Sequence, residues 1–90
     1  MRQADSTKIK FYGNSWCPDS HRAKLILRKY QIEFEDFNIE TDEKALDFVV
    51  THNKGYKSVP TIVFPDESVL VEPSSFELKE KLTNFKLLAV

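Results

Sequence analysis

One cysteine, Cys17, stands in the segment Trp16-Cys17-Pro18-Asp19-Ser20. Pro18 suits the first position of a helix, where its missing N–H has no intrahelical partner to lose. A helix starting there makes Cys17 its N-cap. Unpaired backbone N–H groups and the positive end of the helix dipole favour a thiolate at that position. The thiolate is the attacking species in disulfide exchange, so this is the placement that such chemistry needs. Ser20 lies three residues on, one helical turn along. Its hydroxyl can donate a hydrogen bond to the Cys17 sulfur, but it cannot act as a resolving thiol. Asp19 supports the first turn of the helix and opposes a thiolate only if aimed at the sulfur. A first-turn surface position predicts that it points to water. The competing reading of Cys17 is a small buried hydrophobe; the strand–Cys–Pro–helix context favours the reactive thiol.

A second feature is Lys57-Ser58-Val59-Pro60-Thr61. Proline at the head of a hydrophobic strand cannot donate to the sheet ladder. A cis Val59–Pro60 bond beside a site is one solution, leaving the Val59 backbone open to an extended ligand. A trans proline that merely opens a strand is the other. Among the cations, Arg22, Lys54 and Lys57 are candidates to meet a ligand carboxylate. Lys57, next to the proline loop, is the best placed. His21 and His52 are the two histidines. A Cys17–His21 catalytic pair is conceivable, but the helical position of His21 predicts a solvent-facing side chain.

The elements that must hold these residues follow from periodicity and turn chemistry. Lys8 to Tyr12 is a short β-prone run stopped by Gly13. From Pro18 to Tyr30, Ala23, Ile26, Leu27 and Tyr30 fall on one helical face, and Arg22, Lys24, Arg28 and Lys29 fall on the other. Glu33 to Ile39 reads as a strand with imperfect alternation. Thr41 is the expected cap of a second helix with Leu46, Val49, Val50 and Asn53 inside, ended by Gly55. Val59 to Phe64 is the most hydrophobic strand; a turn at Pro65-Asp66-Glu67-Ser68 returns it as Val69–Val71. Ser74 and Glu77 fit a capping box opening a last helix, whose inner stripe is Leu78, Leu82 and Phe85. The order β-α-β-α-β-β-α predicts an α/β fold with a four-stranded mixed sheet flanked by three helices. Its first two strands should be parallel, because a helix crossover joins them.

Composition limits the alternatives. Ninety residues make one domain, expected over 8–86, with a flexible N-terminus at 1–7 and a tail at 87–90. Hydrophobic residues make up 41% and charged residues 30%, ordinary values for a soluble domain. Thirteen basic against fourteen acidic side chains give a net charge of -1, which argues against nucleic acid as a partner. Apolar runs are too short for a membrane span, and the first seven residues lack the apolar core of a signal peptide. One cysteine excludes an internal disulfide framework and a multi-thiolate metal site, and points to a reducing, cytoplasmic setting. The absence of an obvious exposed apolar stripe points to a monomer.

Together, Trp16-Cys17-Pro18-Asp19-Ser20, Val59-Pro60-Thr61 and Val71-Glu72-Pro73-Ser74-Ser75 resemble the glutaredoxin family of the thioredoxin fold. The likeness spans about residues 8 to 86 and is closest to small bacterial glutaredoxin-like proteins that include the mycoredoxins. It implies a thiol-disulfide oxidoreductase with Cys17 as nucleophile, Ser20 beside it, and no tightly bound cofactor. The cosubstrate would be glutathione or another low-molecular-weight thiol, and the partners would be disulfide-bearing proteins. By resemblance, Trp16 and Pro18 border the ligand groove, Val59 pairs its backbone with the thiol's cysteinyl part, and Pro60 is cis. Ser74 and Ser75 would hold the γ-glutamyl carboxylate or its equivalent. Three departures stand out. Asn14 replaces a lysine three residues before the cysteine. Glu72-Pro73 replaces paired glycines, which opens the site to thiols other than glutathione. Ser20 replaces a second cysteine, leaving the monothiol route. Monothiol relatives that carry iron–sulfur clusters have Cys-Gly-Phe-Ser where this chain has Cys-Pro-Asp-Ser. An iron–sulfur cluster carrier and a redox-silent binding module on the same fold are the alternatives.

Overall fold

The computed structural model describes residues 8–84. The expected segment 1–7, the tail 87–90 and Phe85 lie outside the described residues. Seven elements follow one another: β1 (Ile9–Gly13), α1 (Pro18–Lys29), β2 (Phe34–Asn38), α2 (Glu43–His52), β3 (Thr61–Val63), β4 (Val69–Val71) and α3 (Ser75–Asn84). The strands form one four-stranded sheet in the order β2-β1-β3-β4. β1 and β2 are parallel, as the crossover through α1 requires, and the other two pairings are antiparallel.

The two faces of the sheet follow from the two-residue alternation of side chains along β1. Ile9 and Phe11 point to one face, where they pack with Ala23, Ile26 and Leu27 of α1, Ile62, Phe64, and Leu78 and Leu82 of α3. Tyr12 points to the other, where Ile39 and the α2 residues Ala45 and Val49 cover it. α1 and α3 therefore share one face and α2 has the opposite one. The imperfect alternation of β2 has a structural reason: β2 is an edge strand paired only with β1, and its side chains are half-buried or exposed.

Two local expectations shift. The cap of α2 is Asp42, not Thr41: the Asp42 carboxylate accepts the Ala45 N–H at 3.1 Å. The Asn38 carbonyl accepts the N–H groups of both Thr41 and Asp42, which draws Thr41 into the preceding turn and starts the helix one residue later. The inner stripe of α2 is accordingly centred on Ala45 and Val49, with Leu46 and Val50 half-buried. Gly55 ends the segment with φ of 98°, a conformation that glycine adopts freely, and its N–H bonds to the Val50 carbonyl. In the β3–β4 turn, the Ser68 hydroxyl and then its N–H donate to Asp66, holding that carboxyl below the ordinary carboxylate range.

Candidate functional site

The C-terminal end of β1, the N-terminus of α1 and the loop entering β3 meet at one end of the sheet. Cys17 is the N-cap of α1, with extended backbone (φ -83°, ψ 119°), and Pro18 follows in the first turn. The Cys17 side chain makes no capping hydrogen bond, so it leaves the first-turn N–H groups to other partners. The loop before it is fixed from within. The Cys17 N–H donates to Asn14 Oδ1 at 2.8 Å, and Asn14 is itself buried. The His21 ring, from the first turn of the helix, donates from Nε2 to the Ser15 carbonyl at 2.8 Å. His21 thus steadies the cysteine loop; its ring nitrogen is spent on Ser15.

The Cys17 thiol faces the Val59 carbonyl, with Sγ 3.9 Å from that oxygen. The Val59–Pro60 peptide bond is cis. Val59 lies just ahead of β3 and outside its ladder. The loop around it is pinned on both sides. The Thr61 hydroxyl donates to the Ser58 carbonyl at 2.6 Å and accepts from Asn53 Nδ2, the C-cap of α2, at 3.3 Å. On the far side, the Glu72 N–H donates to the Pro60 carbonyl at 2.8 Å.

A groove of about 430 Å³ opens beside the thiol. Ile39, Leu46 and Val59 give it an apolar surface, and Asn14, Trp16, Glu40 and Lys57 complete its walls around Cys17. Trp16 is 70% exposed, yet it is not loose: its indole N–H donates to Glu40 Oε2. The Ser15 hydroxyl donates to the other carboxylate oxygen at 3.3 Å, and the Glu40 N–H donates to Asn38 Oδ1 at 2.9 Å.

The structure distributes the sequence candidates unevenly. Cys17, Trp16, Lys57 and Val59 share the groove, and Pro18 and Pro60 flank it in sequence. The hydrogen bond expected from Ser20 to the sulfur does not form: the Ser20 hydroxyl is fully buried without a partner. The reason is geometric. The Cys17 sulfur is turned to the Val59 carbonyl, and the Ser20 side chain is turned inward. Ser20 packs instead against Gly13, where an added Cβ would sit 2.8 Å from its oxygen. Ser74 forms the expected capping box with Glu77: its hydroxyl accepts the Glu77 N–H at 3.0 Å and Glu77 Oε1 accepts its N–H at 2.8 Å. Both polar groups of Ser74 are thereby engaged within the chain, leaving the N–H groups of Ser75 and Phe76 unclaimed by the cap. Asp19 pairs with Arg22 at 3.0 Å, which turns its carboxylate to a neighbouring cation and commits that arginine. Lys54 is exposed and lines no part of the groove. His52 stacks on Phe48, and Phe48 in turn on Tyr12.

Three site residues went unread in the sequence. Asn14 stands out in the sequence only as a missing lysine, Asn53 as part of a helix stripe, and Glu40 not at all. An Asn-x-x-Cys spacing ahead of a helix is a recognisable side-chain-to-backbone turn; the Glu40 contacts, made across 24 and 25 residues, leave no local signal.

Comparison with known proteins meets this geometry at two levels. A glutaredoxin from Archaeoglobus fulgidus superposes with a TM-score of 0.66 at 24% identity, covering 82% of this chain and 84% of its own. A buckwheat glutaredoxin in complex with glutathione superposes with a TM-score of 0.70 at 13% identity, covering 92% and 77%. At such identities these likenesses define the fold, which is thioredoxin-like. Sequence carries the assignment further. The glutaredoxin family model matches residues 8–69. A Mycobacterium tuberculosis protein bearing a glutaredoxin name is 38% identical over 74 residues, 82% of this chain and 88% of that relative. The chain belongs to the glutaredoxin family.

Proposed function

We propose that this protein is a monothiol oxidoreductase that resolves mixed disulfides between proteins and a low-molecular-weight thiol. The observation that carries the reading is Cys17 at the uncapped N-terminus of α1, opening onto a groove with the Val59 carbonyl opposite. Helix N-termini favour thiolates, and the thiolate does the chemistry. Cys17 thiolate attacks the small-thiol sulfur of the mixed disulfide. A new S–S bond joins Cys17 to the small thiol, the old S–S bond breaks, and the protein thiolate leaves and takes a proton from water. A second small-thiol thiolate then attacks the small-thiol sulfur held on Cys17. It departs as the symmetrical small disulfide, and Cys17 is restored as thiolate. Electrons pass from one small thiol to the protein, with no metal or tightly bound cofactor required.

Ser20 makes this route monothiol, since no second cysteine is present to displace the ligand. The apolar part of the groove accommodates the thiol's carbon chain, and the Val59 backbone pairs with its cysteinyl amide. Glutathione fits this reading, because the buckwheat relative is a glutathione complex. A reducing cytoplasm supplies such thiols and is the setting proposed here.

The test is alkylation by iodoacetamide in the folded state, followed by turnover of a peptide–glutathione mixed disulfide. Cys17 is expected to be alkylated at neutral pH faster than free cysteine, and the mixed disulfide to be reduced catalytically. A thiol inert in the folded protein overturns the oxidoreductase reading and leaves a scaffold with a structural cysteine.

A further inference from the structure

The walls of the thiol groove carry one carboxylate and one ammonium, Glu40 and Lys57. They are not equivalent. Lys57 is an exposed side chain on the loop that leads to Val59, and ordering it around a ligand costs rotamer entropy. Glu40 is already ordered by the Trp16 indole N–H, the Ser15 hydroxyl and the bond from its own N–H to Asn38. Both side-chain donors are neutral, so they fix the carboxylate without cancelling its charge. One of them belongs to the residue adjacent to the nucleophile. A fixed negative charge in the wall beside Cys17 acts on whatever approaches the sulfur. Elsewhere, the start of α3, where an anion would otherwise be welcome, is supplied with a carboxylate by the chain's own Glu77.

The geometry points to Glu40 as the residue that sets the charge preference of this groove. It selects a small thiol whose far end donates hydrogen bonds, through an ammonium or hydroxyl, over one that ends there in a carboxylate. This rests on the thiol-transfer reading and names the substrate class for it. Each carboxylate oxygen of Glu40 has lone pairs beyond the one engaged by Trp16 or Ser15, so a ligand donor adds a bond without displacing the clamp. A ligand carboxylate meets repulsion and must rely on Lys57 alone.

Two symmetrical disulfides of similar length and opposite charge test this: cystamine and dithiodipropionate. In each case Cys17 thiolate attacks one sulfur, forms the mixed disulfide, and releases one small thiolate. The rate of mixed-disulfide formation is measured by mass spectrometry at low salt. Each rate is divided by that of 2-mercaptoethanol with the same disulfide, which removes the intrinsic difference between the leaving thiols. The normalised ratio of cystamine to dithiodipropionate is expected to exceed one by about fivefold and to shrink in high salt, as interactions of exposed charges do. Glu40→Gln brings the ratio towards one; Lys57→Gln raises it. Trp16→Phe keeps the carboxylate while removing one clamp, and it retains the preference if charge selects. Iodoacetamide, which is uncharged, measures in parallel the reactivity of Cys17 in each variant; any change there applies to both disulfides and cancels in their ratio. A normalised ratio near one in the unmodified protein, or one unmoved by Glu40→Gln, overturns the assignment while the transfer reading stands. Failure of Cys17 to form either mixed disulfide overturns the transfer reading and the assignment together.

Discussion

The N-termini of α1 and α3 are built from similar materials and finished differently. α3 begins with a reciprocal cap: the Ser74 hydroxyl takes the Glu77 N–H and the Glu77 carboxylate takes the Ser74 N–H. α2 is treated in the same spirit by Asp42. α1 begins with Cys17, whose side chain caps nothing, and with a proline that has no N–H to offer. An N-cap serine, aspartate or asparagine contributes about 1 kcal/mol relative to a residue that cannot cap. Among the described helices the protein forgoes that contribution only at α1, the one whose N-cap is the cysteine. The difference teaches where this fold trades local stability for chemistry, and the loop before Cys17 shows how the loss is contained. Asn14 and His21 tie the loop through backbone groups, leaving the thiol to face the Val59 carbonyl.

Cys17→Ser breaks the comparison most sharply. It supplies α1 with the cap it lacks and removes the only thiol in the chain. Transfer activity is expected to fall to the uncatalysed rate, measured on a glutathionylated peptide. Stability is expected to rise, by about 1 kcal/mol from the serine cap, read as a higher midpoint of urea unfolding. A variant that is inactive and no more stable would show that the Cys17 position does not gain from capping.

The conventional caps sharpen the comparison from the other side. Asp42→Ala and Ser74→Ala each remove a side-chain acceptor from a helix terminus. Each is expected to cost about 1 kcal/mol of unfolding free energy, within the range of about 0.5–2 kcal/mol seen for such losses. Their effects should add, because the two caps belong to helices on opposite faces of the sheet and share no partner. Strong non-additivity in the urea midpoint of the double variant would mean that the helix ends communicate through the sheet.

How far the sequence reading carried depends on whether the relevant interaction is local. Pro18 after Cys17, Ser74 three residues before Glu77, and Gly55 after an apolar stripe are local signals, and each sits where its chemistry says it should. β1 was legible only as a short β-prone run; that Ile9 and Phe11 serve one face and Tyr12 the other emerges from the fold. Ser20 misled because spacing does not say where a hydroxyl points: it is buried against Gly13, while the sulfur faces the Val59 carbonyl. Thr41 and Asp42 are both competent caps, and only the Asn38 carbonyl, which claims both their N–H groups, decides between them. Glu40 was invisible because its partners, Ser15 and Trp16, come from the other side of a helix and a strand.

The smallest expected effect tests the face of the sheet opposite α1 and α3. Tyr12 stacks against Phe37 and Phe48, with ring centroids 4.9 and 4.7 Å away. Burial raises its pKa above 10.0, and the nearby carboxylates of Glu35 and then Asp42 push the same way, since all three disfavour a tyrosinate. The unfolded chain therefore gives up this proton at a lower pH than the folded one. Above about pH 10 the unfolded state holds fewer protons at this site, so the contribution of Tyr12 to stability is complete below that pH and is lost as pH rises through the folded value. Other groups titrate in the same window, and Tyr12→Phe isolates this one because phenylalanine keeps the stacked ring and has no proton to lose. The measurement is urea unfolding of both proteins at pH 8 and again above pH 10. The native protein is expected to lose more stability across that interval than the variant does. Equal losses would place Tyr12 in surroundings no less favourable to tyrosinate than water, contrary to its packing under α2.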